Sequence, residues 1–416
     1  MKEKEFQNFA NSFQAVTVPG LERISALCEK LGSPQRGQKF IHVAGTNGKG
    51  SVSANLACIL EAAGFTVGKY ISPNLLRVNE RISVNGVDIS DGELATILAR
   101  IEPLSAEIEK EIGLAPTQFE IWTAAAFLYF KEKKCDYVVL EVGLGGELDA
   151  TNVIEENELA IITRLGLDHT QYLGNTLESV ASAKAGIFKK KSGTGTVITT
   201  NQAPEAMDVI RKKADELSLK LLVPSYRPTA VSGLGEVFDC EGISDIRCGI
   251  YGYHQIENAS LAVAAGKVLG IDDAIIKLGV SRARNPARFE LVRENPTVIY
   301  DGGHNENGIE ALTASLDRYF GGVEKTVIFA CMADKDIENS LRMLGKNTHF
   351  VYTEVKNNPR AMTASDLKKR AAELGFDGPS FDTVGQAYEW ALAEGRLTVI
   401  CGSLYLYKDF KEYLDR

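Results

Sequence analysis

The chain is expected to fold as α/β, with a larger first domain on a mostly parallel sheet and a smaller C-terminal, doubly wound, Rossmann-like domain. Three observations carry this expectation. Short β-branched runs alternate with longer helical patterns almost throughout the 416 residues. Several runs are continuously apolar, as parallel strands buried on both faces are. A second series of the same alternation starts afresh near residue 297. Such alternation closes into α/β layers through right-handed crossovers.

In chain order, strands are read at Lys39–Val43, Phe65–Ile71, Asp136–Val142, Leu159–Thr163 and Thr196–Thr199, and helices at Val52–Ala63, Phe119–Lys131, Leu177–Lys189 and Asn258–Leu269. Pro224–Gly249 differs, with strand-like pieces such as GEVFDC and no helical pattern, so a β excursion within the first domain is expected. From residue 297, TVIYD, a helix to Phe320, TVIFA, a helix, HFVYTEV, a helix and LTVICG follow. They span about 120 residues, the size of one domain. The charged, proline-containing stretch Arg288–Pro296 lies between the two series. The expected division is therefore 1–290, a linker at 291–296, and 297–416.

With 46 basic and 55 acidic side chains, the net charge is −9. That balance argues against nucleic acid as the main partner, because phosphate backbones need a basic face. The N-terminal MKEKEFQNF lacks the apolar core of a signal peptide, and no apolar run of membrane-spanning length occurs. Seven scattered cysteines without a C-x-x-C pair fit reduced thiols better than disulfides or zinc, so a cytoplasmic chain is expected. Nothing in the sequence demands more than a monomer.

The sharpest local pattern is KFIHVAGTNGKGSVSANLACILEAAG. A strand enters the turn Gly45-Thr46-Asn47-Gly48-Lys49-Gly50-Ser51 and passes directly into a helix, the context of a P-loop ATPase domain. Glycines let backbone N–H groups approach phosphate oxygens, and the helix N-terminus adds positive potential. Lys49 can reach the β and γ phosphates, and Ser51 or Thr46 a magnesium ion. Two departures from G-x-x-x-x-G-K-[ST] stand out: Val43 at the first glycine, and Gly50 inserted between the lysine and the hydroxyl.

In DYVVLEVGLGGELDATN, Glu141 closes an apolar strand, where a buried carboxylate is costly without a cation or donors. Strand C-termini are where open α/β sheets hold ligands. In ITRLGLDHTQYLGNTLESVASAKAGIFKK, a further strand delivers Asp168 and His169, and Lys184 lies on the next helix.

Taken together, GTNGKGS, ISPNL with RVNERI, EVGLGGxLDATN, LDHTxxLGxTLES with KAGI, and DGGHN resemble the folylpolyglutamate synthase/dihydrofolate synthase family, within the Mur ligase superfamily of ATP-dependent amide-forming enzymes. The resemblance runs from Pro19 to Tyr405. It implies that Gly45–Ser51 cradles ATP, with Lys49 on the γ-phosphate. It implies two magnesium ions held by Ser51, Ser72, Glu141, His169 and Lys184, the lysine being carbamylated into an anionic oxygen ligand. Asn258, Arg288 and Asp301 would complete the ATP site across the domain cleft, with His304 at the reaction centre. For the pterin substrate it points to Thr117, Gln118, Phe119 and Glu120, and to Leu148, Asp149 and Ala150.

Several residues depart from the family pattern: Glu147 for arginine in GGRLDATN, Asn74 for histidine in SPHL, Ala183 for glutamate before KAGI, Ala287 for glycine in PGR, and Gly303 and Glu306 in DGAHNP. The phosphate and metal positions are intact. The activity implied is an ATP-dependent ligase joining L-glutamate to a folate through an acyl phosphate, or to dihydropteroate, with TQFE leaning toward chain extension. The alternatives are a Mur-type ligase for another carboxylic acid, a P-loop nucleotide-binding protein that makes no amide, and an inactive paralogue.

Overall fold

The computed structural model describes residues 18–189 and 195–416; the charged N-terminal MKEKEFQNF lies outside them. The chain divides into two compact units. The first runs to Arg227 and takes in Phe238–Ile246 and Glu257–Ala283; the second comprises Pro228–Val237, Arg247–Ile256 and Arg284–Arg416.

The first unit is built on an eight-stranded sheet. Its strands are β1 (Phe40–Ala44), β2 (Val67–Tyr70), β3 (Ile82–Val84), β4 (Val87–Asp88), β5 (Tyr137–Glu141), β6 (Leu159–Ile162), β7 (Thr196–Thr199) and β8 (Lys220–Leu222). They are ordered β4-β3-β2-β5-β1-β6-β7-β8. The run from β2 to β8 is parallel, and β3 and β4 add an antiparallel edge. β1 is buried along its length between β5 and β6. The chain leaves β1 toward β2 on one side and later crosses to β6 on the other, so strand order reverses beside β1. That is where an open α/β sheet leaves a crevice for ligand.

Helices cover this sheet and bury its apolar runs. One cluster gathers Phe40, Trp122, Phe127 and Phe130; another gathers Ile162, Val180, Ile187, Val197 and Ile210. The helix Lys49–Ala62 is buried from Ser51 to Ala57 and again at Ile59 and Leu60. A Cβ on Gly279, in the helix Asp273–Arg282, would run into the Ile59 backbone, so only glycine allows that close helix approach.

A three-stranded sheet, ordered β11-β10-β9, follows from β9 (Tyr226–Ser232), β10 (Gly235–Cys240) and β11 (Ile243–Arg247). It is the expected β excursion, but it does not stay within the first domain: Pro228–Val237 and Arg247–Ile256 belong to the second unit. The physical reason is Glu236, buried at 1% exposure and held by both Arg318 nitrogens at 2.6 and 3.0 Å and by the Tyr319 hydroxyl at 2.9 Å.

The second unit carries a five-stranded sheet ordered β12-β13-β16-β14-β15, from β12 (Glu290–Arg293), β13 (Val298–Tyr300), β14 (Lys325–Phe329), β15 (Thr348–Tyr352) and β16 (Leu397–Cys401). β12 pairs antiparallel with β13, and the other pairings are parallel. Its core gathers Phe289, Ile299, Val327, Phe329, Leu341 and Val399.

The expected linker at 291–296 is corrected here, because Leu291–Arg293 form most of strand β12. Its charges mark an edge strand, where one face stays wet, and not a free connector. The helix expected at Leu177–Lys189 ends at Ala185, with Gly186 as its cap. The first five strands predicted lie within about two residues of those found, the uncertainty usual for element ends.

Candidate active site

β1 ends at Ala44, and the next seven residues turn back over the sheet edge into the helix Lys49–Ala62. Two glycines make the turn possible. Gly45 (φ +152°) lies against Thr163, and Gly48 (φ +93°) caps the helix against Asn258; a Cβ on either would collide with those side chains. Glycine alone takes such left-handed backbone without strain. The segment after β6 clamps the loop. Thr46 and Asn47 donate their N–H groups to the Arg164 carbonyl at 3.1 and 3.2 Å. Thr163 Oγ1 donates to the Asn47 carbonyl at 2.7 Å, and Thr46 Oγ1 to that of Gly166 at 2.9 Å.

Lys49, expected at the γ-phosphate, and Lys184, expected as a carbamylated magnesium ligand, meet at one atom. Lys49 Nζ donates to the Gly45 carbonyl at 3.0 Å and to that of Thr46 at 3.2 Å. Lys184 Nζ, from the helix Leu177–Ala185, donates to the same Gly45 carbonyl at 2.9 Å. Lys184 is 5% exposed. Burial, and then the Lys49 charge, push its pKa down to about 7. About half of an amine so placed is neutral, and so nucleophilic, at neutral pH, where an ordinary lysine is protonated.

Glu141 ends β5 opposite Val43, its carboxylate buried at 3% exposure. The loop that follows is fastened to the helix bearing Lys184: Glu147 N–H donates to the Ala183 carbonyl at 2.8 Å, and Asn152 Nδ2 to the carbonyls of Glu147 and Gly186 at 2.9 and 3.1 Å. No room exists there for a side chain on Gly146, whose Cβ would lie 2.7 Å from the Ala183 carbonyl. His169 is exposed and left-handed (φ +51°), its N–H held by Asp168 at 2.9 Å. Ser72 is half-buried, next to Asn74, which accepts from Arg81 Nε at 2.8 Å.

The residues expected at the pterin separate into two kinds. Thr117 and Glu120 are buried and form a capping box on the helix Gln118–Glu132, and Arg23 Nε pairs with Glu120 at 3.1 Å. Asp149 is buried too, accepting from Leu144 N–H at 2.8 Å and from Thr151 N–H at 3.0 Å. Ala150 is buried, whereas Leu148 is 54% exposed and Gln118 and Phe119 are half-buried. Phe119 lies 5.9 Å from the Tyr70 ring and fills the space a Cβ on Gly143 would need.

In the second unit, Arg288, Asp301 and His304 gather around Gly302. Asp301 is 5% exposed and accepts from the N–H groups of Phe289 at 2.8 Å and Gly303 at 2.7 Å. A Cβ on Gly302 would sit 2.9 Å from Arg288 Nη1. His304 Nδ1 lies 2.9 Å from the Gly302 carbonyl. A carbonyl only accepts, so Nδ1 carries the proton and, in the neutral ring, Nε2 the lone pair.

Sequence reasoning missed Thr163, Arg164 and Arg23. The first two stand in the ITRLGLDH segment at the end of β6, which was the available signal. Arg164 is itself fixed by Glu257 through a bidentate ion pair. Arg23 meets a partner 97 residues away, which no local pattern announces.

Comparison with known proteins agrees with this arrangement. Residues 43–266 match the Mur ligase middle domain, and 287–404 the Mur ligase glutamate ligase domain. A dihydrofolate synthase/folylpolyglutamate synthase from Bacillus subtilis is 38% identical over 414 residues, covering 95% of each chain. Its Escherichia coli counterpart is 33% identical over 403 residues, covering 95% of this chain and 91% of that one. The Mycobacterium tuberculosis folylpolyglutamate synthase solved with ADP and AMPPCP superposes with a TM-score of 0.92 at 30% identity, covering 99% and 98%. An E. coli chain solved with DHPP and ADP gives 0.87 at 31% identity, covering 99% and 97%. Among the described residues, no helix is long and apolar enough to cross a membrane.

Proposed function

Since the chain belongs to the folylpolyglutamate synthase/dihydrofolate synthase family of Mur ligases, we propose that it is an ATP-dependent ligase that forms an amide between a pteroyl carboxylic acid and L-glutamate. The observation that carries this reading is the meeting of Lys49 and the buried Lys184, its pKa lowered to about 7, on the Gly45 carbonyl at the end of β1. A simple nucleotide-binding module has a use for the first lysine and none for the second.

In this reading Gly45–Ser51 binds the ATP phosphates through backbone N–H groups, and Lys49 turns from its carbonyls onto the γ-phosphate. The substrate carboxylate attacks that phosphorus, ADP leaves, and an acyl phosphate remains. The glutamate amine then attacks the acyl carbon; phosphate departs and the amine gives up a proton, which His304 accepts at Nε2. Asn258 packs against the loop at Gly48, and Arg288 and Asp301 are the further residues assigned to nucleotide in this reading.

The donors proposed for divalent cations are the Ser51 and Ser72 hydroxyls, the buried Glu141 carboxylate and the His169 ring; the three oxygen donors suit a hard cation. Addition of carbon dioxide to the neutral Lys184 amine would supply a further anionic oxygen. Magnesium held there would neutralise charge on the transferring phosphoryl group. Gln118, Phe119 and Leu148 are the exposed or half-buried residues offered to the pterin. Thr117, Glu120, Asp149 and Ala150 shape that site from beneath.

The test is ATP-dependent incorporation of labelled glutamate, with tetrahydrofolate and dihydropteroate offered separately and phosphate release followed in parallel. Product from tetrahydrofolate alone identifies a chain-extending synthase, and product from both a bifunctional enzyme. Phosphate release without either acid, or no product from any pteroyl acid, overturns the assignment.

A further inference from the structure

His42 lies in the middle of β1, and none of the roles above uses it. It is fully buried, and its Nε2 stands 2.9 Å from Thr151 Oγ1. That hydroxyl donates its only hydrogen to Asp149 Oδ1 at 2.5 Å. Thr151 Oγ1 must therefore accept from His42, which fixes the proton on Nε2. Nδ1, buried as well, has no hydrogen-bond partner among the described residues. Leaving a buried ring nitrogen unsatisfied is destabilising, so an apolar residue would serve β1 better if packing alone were at stake.

The chain of hydrogen bonds ends on the loop after β5. Asp149 Oδ1 also accepts from Thr151 N–H, and Oδ2 from Leu144 N–H, so one carboxylate ties both ends of the segment Leu144–Thr151. Leu148, exposed together with Glu147 in that segment, is adjacent to the carboxylate that fixes its backbone. The Asp149 carboxylate has no lysine or arginine among its hydrogen-bond partners and relies on these neutral donors.

We propose that His42 is a positioning residue for pteroyl-acid binding, acting through Thr151 to orient Asp149 and so hold Leu144–Thr151 in its binding geometry. This rests on the reading of that loop as the substrate loop. The nucleotide loop begins three residues after His42 on the same strand, yet the hydrogen bond leads away from it. A His42 defect is therefore expected in pteroyl binding and not in ATP binding.

The experiment compares His42→Leu, His42→Gln and Thr151→Val in the full-length protein. A glutamine amide nitrogen can reach the Nε2 position and keep the donor; leucine cannot. His42→Leu should raise KM for the pteroyl acid about tenfold, the scale of one buried hydrogen bond. It should leave KM for ATP within about twofold, and His42→Gln should return the pteroyl KM to near wild type. Hydrogen exchange at the Leu144 and Thr151 amides should accelerate in His42→Leu and not in His42→Gln. The proposal is overturned if the pteroyl KM is unchanged, if both KM values rise together, or if glutamine is as poor as leucine. Should His42→Leu fail to fold, Thr151→Val, nearly isosteric, must show the same KM split. Exchange does not depend on turnover. Failure of the wild type to glutamylate any pteroyl acid overturns the functional reading, while unchanged exchange overturns the His42 relay.

Discussion

Arg23→Met isolates the buried ion pair that the helix Glu22–Lys30 makes with the helix Gln118–Glu132. The two side chains are 5% and 4% exposed and 3.1 Å apart. Glu120 Oε2 has one further donor, the Thr117 N–H at 2.6 Å, and Oε1 has no partner. Among the described residues Arg23 is thus the only cation hydrogen-bonded to this carboxylate, and removing it strands a buried charge. Breaking a buried pair from one side costs about 3–5 kcal/mol. Glu120→Gln keeps an oxygen for the Thr117 cap and leaves Arg23 its bond to the Val18 carbonyl at 2.6 Å, so about 2 kcal/mol is expected. The double variant should cost less than the sum of the singles by about 2 kcal/mol, since neither charge is then left alone. Urea unfolding followed through Trp122, buried on the same helix, measures all three. Strict additivity, or a loss below about 1 kcal/mol for Arg23→Met, would refute this account. If Glu120→Gln left stability untouched and raised only the KM of the pteroyl acid, Glu120 would be a substrate contact and not a brace.

Lys184→Ala should abolish ligation while nucleotide still binds, and added short carboxylates should partly restore turnover; wild-type turnover in the variant would remove the carbamate from the mechanism. Burial, and then the Lys189 charge, lower the His42 pKa from 6.5 to about 3. The unfolded chain therefore takes up a proton below pH 6.5 that the folded chain refuses until about pH 3. This contribution to stability is complete above pH 6.5 and is lost as pH falls through that window. Between pH 7 and pH 5 the loss is about 2 kcal/mol, and urea titrations of His42→Gln should show a correspondingly flatter profile. Ala287 occupies left-handed backbone (φ +59°) where the family pattern has glycine. Ala287→Gly should shift stability by less than about 1 kcal/mol, because the strain released is offset by the buried methyl lost and by the entropy glycine adds to the unfolded chain; a larger change in either direction would contradict this.

The parallel core of the first unit was legible because continuous apolar runs such as YVVLE and FIHVA have few other ways to be buried. The loop at Gly45–Ser51 was legible because glycines, a lysine and a helix start follow one another within seven residues. Hidden from the sequence were the couplings that cross the fold. Arg23 and Glu120 stand 97 residues apart, and His42 and Thr151 109 apart. Side-chain pairing at such separations leaves no period in either segment. The supposed linker misled for a related reason: charge and proline are as common on an edge strand as on a connector, and only the pairing of β12 with β13 distinguishes them. Glu120 could not be settled from sequence, since a capping glutamate and a ligand-binding one look alike in TQFE.

The chain passes from the first unit to the second at Pro228, returns at Phe238, leaves again at Arg247, returns at Glu257 and departs finally at Arg284. No single crossover in the gene can exchange one unit for that of another ligase. A fragment beginning at Arg284 would carry Arg318 and Tyr319 but not Glu236, the carboxylate they share. Inheritance of the two units is thereby linked: a block from Pro228 to Arg416 keeps Glu236 with Arg318, but it takes Phe238–Ile246 and Glu257–Ala283 away from the rest of the first unit.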